Sequence, residues 1–598
     1  MKRQSPKPKT KNALRSKGKT VAVALCIAAA FIALSATMLL KRPPAESNPP
    51  ERFVPRPHGQ LTFNNDIAPI LFRHCAGCHR PGETAPFSLL TYQQVKARAN
   101  DVVAVTARRY MPPWLPEHGG PALADARRLT EDEIGVIHQW KEEGAAEGSA
   151  RDLPPLPRWT EGWQLGMPDL VAELPAAYTL PAEGRDVYRN FVIPLSLPAR
   201  RFVRAVEFKP NSKVFHHIFV RFDRSRQSRR LDAQDAEAGF GGMSLPPGAE
   251  SPGGHFLSWQ PGRGPARSPA GLAWPLEANS DLILQAHLQP SGKPELVRPS
   301  IGFYFTDQAP TNTPFKVVLG SMDIDIPAGS PNFEIQDSYV LPVDAQVLAV
   351  LPHAHYLAKQ MQGTAVLPSG ETRSLLNIKE WDFNWQSDYR YLEPIQLPKG
   401  TRLGMRFTYD NSIQNVRNPH QPPVRVRYGL QTTDEMGELW LQLLPRNTNE
   451  LRALQADFER RLVREILAFN ALMLRQNPTN AHAHVQYGKA LVALGRRDEA
   501  LPHFRQAVQI DPDQEEGHYH IGVLLMDRDL ASAEKSFVQT VRVNPENFKA
   551  RNNLGLVLMS LNRDAEAEAQ FRAALELNPN DRRILENLDQ LQKRRGRP

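Results

Sequence analysis

Prolines 478, 512, 545 and 579 fall 34, 33 and 34 residues apart. Gly488, Gly522 and Gly555 keep the same step, as do Ala500, Ala533 and Ala567, and Phe504, Phe537 and Phe571. A period of that length, held at several positions, constrains the fold more than any other feature of the chain. Each repeat must be one supersecondary unit that buries its apolar face against its neighbours. Small residues let paired helices approach, and the phenylalanines are expected to fill the gap between them. The middle unit is one residue short at its inter-helix turn. The final "LENLDQLQKRRGRP" reads as a polar closing helix.

This period resembles tetratricopeptide repeats, which implies an α-solenoid over residues 470–598 and a groove for a protein partner. Upstream the texture differs. From about 166 to 446, short alternating apolar runs such as "RNFVIPLSL", "DLILQAHLQ" and "TRLGMRFTYD" are separated by Pro, Gly, Asn and Asp. That is all-β patterning, and the length suits two sandwiches (166–311 and 312–446) better than one. Residues 57–150 read as a small, mainly helical domain. In "LTEDEIGVIHQWKEEGA", Ile134, Ile137 and Trp140 share a helix face, and Thr130 with Glu133 forms a capping-box pattern. "RDLPPLPR" is a linker, and the Pro-rich stretch 43–60 reads as a stalk.

The net charge of +9 is almost wholly N-terminal, since residues 1–20 hold eight Lys or Arg and no acid. The rest is close to neutral, so no nucleic-acid partner is required. The basic tail runs into "VAVALCIAAAFIALSATMLL", residues 21–40, long enough to cross a bilayer as a helix. Positive charge before it predicts a cytosolic N-terminus, with the bulk of the chain outside. A cleaved signal peptide is the alternative, but no good small-x-small site follows the run. The expectation is therefore a single-pass inner-membrane anchor with a periplasmic body. Lipidation at Cys26 is disfavoured by the large Leu25 before it.

Cys75 and Cys78 are the two cysteines left outside the apolar run, in "CAGCH". In C-x-x-C-H, two thiols can bond a haem's vinyl groups while the adjacent His79 becomes an axial ligand. A thioredoxin-like pair would not need His79, and a zinc site would need further ligands nearby. "FNNDIAPILFRHCAGCHRPG" resembles a class of bacterial cytochrome c domains. Met111, in "RRYMPPW", is the candidate sixth ligand, and His/Met ligation favours electron transfer over oxygen chemistry.

"KVFHHIFVRF", residues 213–222, poses a different problem. Neighbouring strand residues face opposite ways, yet His216 and His217 are adjacent. They converge only if the strand bulges or twists. Further along come His287 in "LILQAHLQPSGK", His353 and His355 in "LPHAHYLAKQ", and Met436 in "TTDEMGELWLQ". His353 and His355 are two apart and share a strand face. The series His-His, His, His-x-His, Met, with "QAHLQPSGK", "YDNS" and "TTDEM", resembles the copper type II, ascorbate-dependent monooxygenases (the peptidylglycine α-hydroxylating and dopamine β-monooxygenase family) over roughly residues 180–446. The resemblance implies two jelly-roll-like sandwiches with one copper each. His216, His217 and His287 would hold an electron-storing copper. His353, His355 and Met436 would hold the catalytic, oxygen-activating one, where a soft thioether favours Cu(I).

The sequence departs from the peptide-hydroxylating members where they grip a substrate carboxylate. Those positions are Leu351, Glu438 and Trp440 here, so no cation is expected in that grip, and a glycine-extended peptide is disfavoured as substrate. His255 reads as a loop residue, and His482, His484, His503, His518 and His520 as solvated repeat residues. Three functions remain open. The chain is a membrane-anchored copper monooxygenase acting on an unidentified small molecule or peptide with O2, its electrons drawn from a reductant or donor protein through its own haem. Or it is a copper and haem electron-transfer or redox-sensing protein without hydroxylase activity. Or the repeats are its purpose, docking a partner while the redox parts sense.

Overall fold

The computed structural model describes residues 53–83, 85–243, 245–246, 248–429, 431–579 and 581–596. The basic tail and the apolar run 21–40 lie outside these residues. Among the described residues, no helix is long and apolar enough to cross a membrane.

The chain divides into two compact units. The first takes its described residues from 53–75, 89–112 and 128–155. It is helical, with α1 (Ala68–His74), α2 (Ala99–Ala107) and α3 (Glu131–Glu142). Thr130 and Glu133 form the predicted capping box at the start of α3. The buried face of α3 is Val136, Ile137 and Trp140, while Ile134 is half-buried. Val136 lies one turn before Trp140, so it takes the place expected of Ile134. The Trp140 ring packs 6.3 Å from Phe63, and its Nε1 donates to the Ala146 carbonyl at 2.8 Å.

The second unit holds residues 76–88, 113–127 and 156–598. Its β-rich middle consists of two halves, each of two larger antiparallel sheets and a two-stranded ribbon, with its own core. In the first half, β1 (Val187–Pro194), β2 (Phe215–Asp223) and β3 (Asp281–Leu288) form the centre of one sheet, with β3 between the other two. Alternation on β2 decides what goes where. Ile218 and Val220 are buried in the core, and His217, Phe219 and Arg221 face the other way. In the second half, β4 (Phe315–Gly320), β5 (Ala345–Ala354), β6 (Tyr389–Leu397) and β7 (Gly437–Pro445) make one sheet in the order β4-β7-β5-β6. Leu439, Leu441 and Leu443 of β7 enter the core, while Glu438 and Trp440 face away from it. Leu351 pairs with Trp440, and His353 with Glu438, so these four residues form one outward patch.

A helix not foreseen from the sequence, α4 (Thr448–Gln476), follows β7 directly. The Asn447 side chain caps it by accepting from the amides of Asn449 and Glu450. Leu454 and Phe458 of α4 join the core of the second half, and Leu467 packs on the core of the repeats.

Helix pairs then repeat: 481–493 with 497–510, 515–525 with 530–543, and 548–560 with 564–577, closed by Arg582–Arg594. The periodic residues do what the spacing predicts. Ala500, Ala533 and Ala567 are fully buried, as are Phe504, Phe537 and Phe571. A Cβ on Gly488, Gly522 or Gly555 would lie 2.8, 2.7 or 2.6 Å from the paired phenylalanine ring. Of the five histidines read as solvated, His482 is exposed and the other four are half-buried. His520 stacks on Phe504 at 4.9 Å and 13°, and burial holds its pKa down to about 4. The aromatic filling between helices therefore draws in a residue whose polarity suggested water.

Gly522→Ala gains about 1 kcal/mol of helix propensity, but overpacking against Phe537 costs about 1–3 kcal/mol. Thermal unfolding of the full chain should show the repeat transition at lower temperature. A higher transition temperature would contradict the close-packing role of Gly522.

Candidate metal centre

The adjacent histidines of β2 are reconciled by a bulge. His287 of β3 pairs with His217, but the next residue, Leu288, pairs with Phe215. His216 is thus the extra residue, and its side chain swings toward the same side as His217. The three rings lie within 5.1 Å of one another by centroid, at 5.1 Å (His216–His217), 4.7 Å (His216–His287) and 5.0 Å (His217–His287). One ring nitrogen from each lies within 4.8 Å of the other two.

Hydrogen bonds fix which nitrogen His287 and His216 offer. His287 Nε2 donates to Asp186 Oδ2 at 2.6 Å, and His216 Nε2 donates to Asn384 Oδ1 at 3.2 Å. The Nδ1 atoms remain. Those of His216 and His217 are 2.9 Å apart, and that of His287 is buried with no partner. An orphaned buried acceptor is costly, and a metal ion would satisfy it. Burial and the neighbouring His287 hold His216 down to about 4 and His217 well below its ordinary value. Both are neutral at physiological pH, as ligands must be. The outer carboxylate on His287 is the arrangement that orients metal-bound imidazoles. The residues present therefore fit a metal ion held by three Nδ1 atoms.

The second group is presented with the opposite nitrogen. His353 Nδ1 donates to Gln386 Oε1 at 2.7 Å, and His355 Nδ1 donates to the Asp434 carbonyl at 3.1 Å. Each Nε2 is left as the available atom. The two rings are 5.4 Å apart, and buried Met436 lines the same cavity.

Glu435 ties the two ligand-bearing segments together. Fully buried, it accepts the amides of His355 (2.5 Å), Leu357 (2.9 Å) and Met436 (2.9 Å). Burial pushes its carboxyl up to about 8 against the pull of these amides. The "YDNS" stretch completes the frame. Tyr409 Oη donates to the Met436 carbonyl at 2.9 Å, and a Cβ on Gly437 would lie 2.1 Å from that oxygen. Asn411 Nδ2 donates to the carbonyls of Pro327 (3.1 Å) and Val424 (2.7 Å).

Both groups border one cavity of about 260 Å³, to which His217, His353, His355 and Met436 contribute. The Phe383 ring stands between the groups, 5.6 Å from His216, 6.5 Å from His287 and 5.9 Å from His355. Leu351, Glu438 and Trp440 are on the wall, where Trp440 Nε1 donates to Glu438 Oε2 at 2.8 Å. His255 is a turn residue as expected, but it is buried on this wall. Positions 351, 438 and 440 carry no cation, but two cations face the cavity from other strands, Arg221 from β2 and Lys316 from β4.

Among the haem-motif residues, Cys75 caps the C-terminus of α1, and Met111 is half-buried in the turn before Pro112. Both belong to the first unit, whereas Cys78 and His79 belong to the second. His79 Nδ1 donates to the Phe87 carbonyl at 3.1 Å, which leaves Nε2 as its ligand atom, and burial lowers its pKa.

Comparison with known proteins concerns the repeats. Tetratricopeptide repeat families match residues 488–527 and 523–582. The chain carries C-terminal tetratricopeptide repeats. Both matches lie downstream of the β region and the haem motif. Similar curated proteins include anaphase-promoting complex subunit 3 of Schizosaccharomyces pombe, 26% identical over 18% of this chain and 16% of that protein. DnaJ homolog subfamily C member 3 of Rattus norvegicus is 30% identical over 18% of this chain and 22% of its own length. The chain thus matches less than a quarter of either protein. Similar solved structures include MamA (18% identity, 23% of this chain, 84% of that chain, TM-score 0.22). Another is the first repeat domain of Spaghetti (RPAP3) bound to an HSP90 peptide (21% identity, 19% of this chain, 93% of that chain, TM-score 0.19).

Glu435→Ala would leave three buried amides without acceptors, at about 1–3 kcal/mol each. Denaturant unfolding should show a loss of about 3 kcal/mol or more. A change below about 0.5 kcal/mol, the scale of an ordinary surface substitution, would show that Glu435 does not hold these segments.

Proposed function

We propose that this chain is a copper-dependent monooxygenase, anchored in the inner membrane by residues 21–40, that hydroxylates a C–H bond of a small molecule in the periplasm. The observation that carries this reading is the pairing of two unlike donor sets on one cavity. One set offers three Nδ1 atoms, and the other offers two Nε2 atoms with a thioether. Imidazole suits both copper states, and a thioether favours the reduced one. Bound copper would supply electron storage at the first set and O2 activation at the second. The balance requires two electrons and two protons besides O2, giving a hydroxylated carbon and one water.

The protein's own groups prepare the site. Asp186 and Asn384 fix the tautomers of His287 and His216, and Gln386 and the Asp434 carbonyl fix those of His353 and His355. Glu435 and Tyr409 hold the Met436 backbone. Leu351, Phe219, Trp440 and Phe383 give the cavity apolar walls that limit water. Cys75 and Cys78 would carry a c-type haem, and His79 and Met111 would hold its iron. The haem would relay electrons one at a time from an external donor. The His79–Phe87 hydrogen bond suits that role, because it directs Nε2 to the ligand position.

The repeats support a docking role beside this chemistry. A hollow of about 440 Å³ there is lined by Tyr519, Asn552, Asn553, Asn587 and Arg583 among others. Its polar lining, with charges of both signs (Lys549, Arg583, Asp581 and Glu586), suits a peptide segment of a partner protein. An electron-transfer or sensing protein without hydroxylase activity uses the same ligands. Oxygen consumption coupled to product formation separates the two, and Met436→Ile should abolish it while sparing metal at the first set.

Metal analysis of the copper-reconstituted full chain should give two coppers and one haem. Asp186→Asn should weaken copper binding at the first set by about 10–100-fold in a competition titration. One copper per chain, or unchanged affinity in the variant, would contradict the assignment.

A further inference from the structure

The cavity wall holds two positive charges that no carboxylate neutralises. Arg221 follows His217 and Phe219 on the outward face of β2. Its Nε is buried with no hydrogen-bond partner. Lys316 projects from β4, where it pairs with Gln442. Its Nζ lies 5.9 Å from the Trp440 ring centre and donates to the His255 carbonyl at 3.4 Å. The nearest acid on the wall, Glu438, accepts from Trp440 Nε1 instead. Among the described residues, neither cation has an Asp or Glu oxygen within ion-pair distance. Other arginines of this unit that approach burial are paired, as Arg189 is with Asp235 and Arg461 with Asp337.

Two desolvated cations side by side are costly unless something negative joins them. Burial and the Arg221 charge push Lys316 down to about 8, and burial lowers Arg221 as well. Neither group enters the metal sets or the frame around them. A carboxylate between a guanidinium and an ammonium would offset both desolvation penalties with charge-assisted hydrogen bonds. Beside them the wall is apolar, with Phe219, Leu351 and Trp440. The volume of about 260 Å³ lies below the roughly 300–1,000 Å³ usual for ligand pockets, so the ligand must be small.

We propose that this cavity binds a small organic carboxylate with an apolar body, its charge held by Arg221 and Lys316 and its body directed toward His355 and Met436. Binding itself needs no metal. That the bound molecule is the hydroxylated substrate rests on the monooxygenase reading above.

Calorimetric titration of the full chain, copper-free and copper-loaded, tests the proposal with phenylacetate and 4-phenylbutyrate against their neutral amides. At least one carboxylate should bind about tenfold or more tightly than its amide in both preparations. Arg221→Gln and Lys316→Met should each remove that preference. Neither variant should lower the melting temperature, because each removes an uncompensated charge. Amides that bind as well as the acids, no binding by either acid, or variants that melt lower would each overturn the proposal. If the acids bind the copper-free protein but drive no oxygen consumption when copper is present, the anion site stands and the oxygenase reading falls.

Discussion

Five imidazoles gather around one small cavity, which His217, His353 and His355 line directly, and such a cluster is tolerable only if their buried nitrogens are engaged. Four of the rings have one nitrogen fixed by a particular oxygen, from Asp186, Asn384, Gln386 or the Asp434 backbone. The two halves use this constraint differently. The first turns Nδ1 inward, and the second leaves Nε2. The strands, the bulge at His216 and the buried Glu435 all serve to hold those orientations. The protein itself offers no partner to the buried Nδ1 of His287, a cost that a bound metal ion would remove.

Much of the architecture was legible because it repeats locally. The Gly, Ala and Phe positions of the repeats foretold which residues close the helix pairs. Period-2 runs foretold the sheets, and Thr130 with Glu133 foretold a cap. An irregularity at His216 was legible too, since two adjacent histidines face one ligand only where the strand bulges or twists, and the structure has the bulge. Periodicity was less reliable at single residues: Val136 took the buried place read for Ile134, and His520 entered an aromatic stack instead of water. The helix Thr448–Gln476 escaped notice because it has no internal repeat and bridges two kinds of core.

The rest of the site was not legible because it is made across strands rather than along them. Asp186 meets His287 from 101 residues away, and Asn384 meets His216 from 168 residues away. Arg221 was visible in the strand "HHIFVRF", two residues beyond Phe219 on the face of His217, and alternation alone could have flagged it. Lys316 had no such signal, for its place depends on which sheet faces which. The absence of a cation at positions 351, 438 and 440 was read correctly from the sequence. It did not follow that the cavity lacks one, because charge was supplied from other strands.

The proposed oxygen chemistry requires Met436 to share a copper with His353 and His355. X-ray absorption at the copper edge of the reduced, copper-loaded full chain is the most direct measurement. A sulfur scatterer should appear on a fraction of the copper equal to one of two sites, and vanish in Met436→Ile while the imidazole signal of the first set persists. Nitrogen and oxygen scatterers alone in the parent protein would contradict a thioether-bearing copper site and the oxygen chemistry built on it.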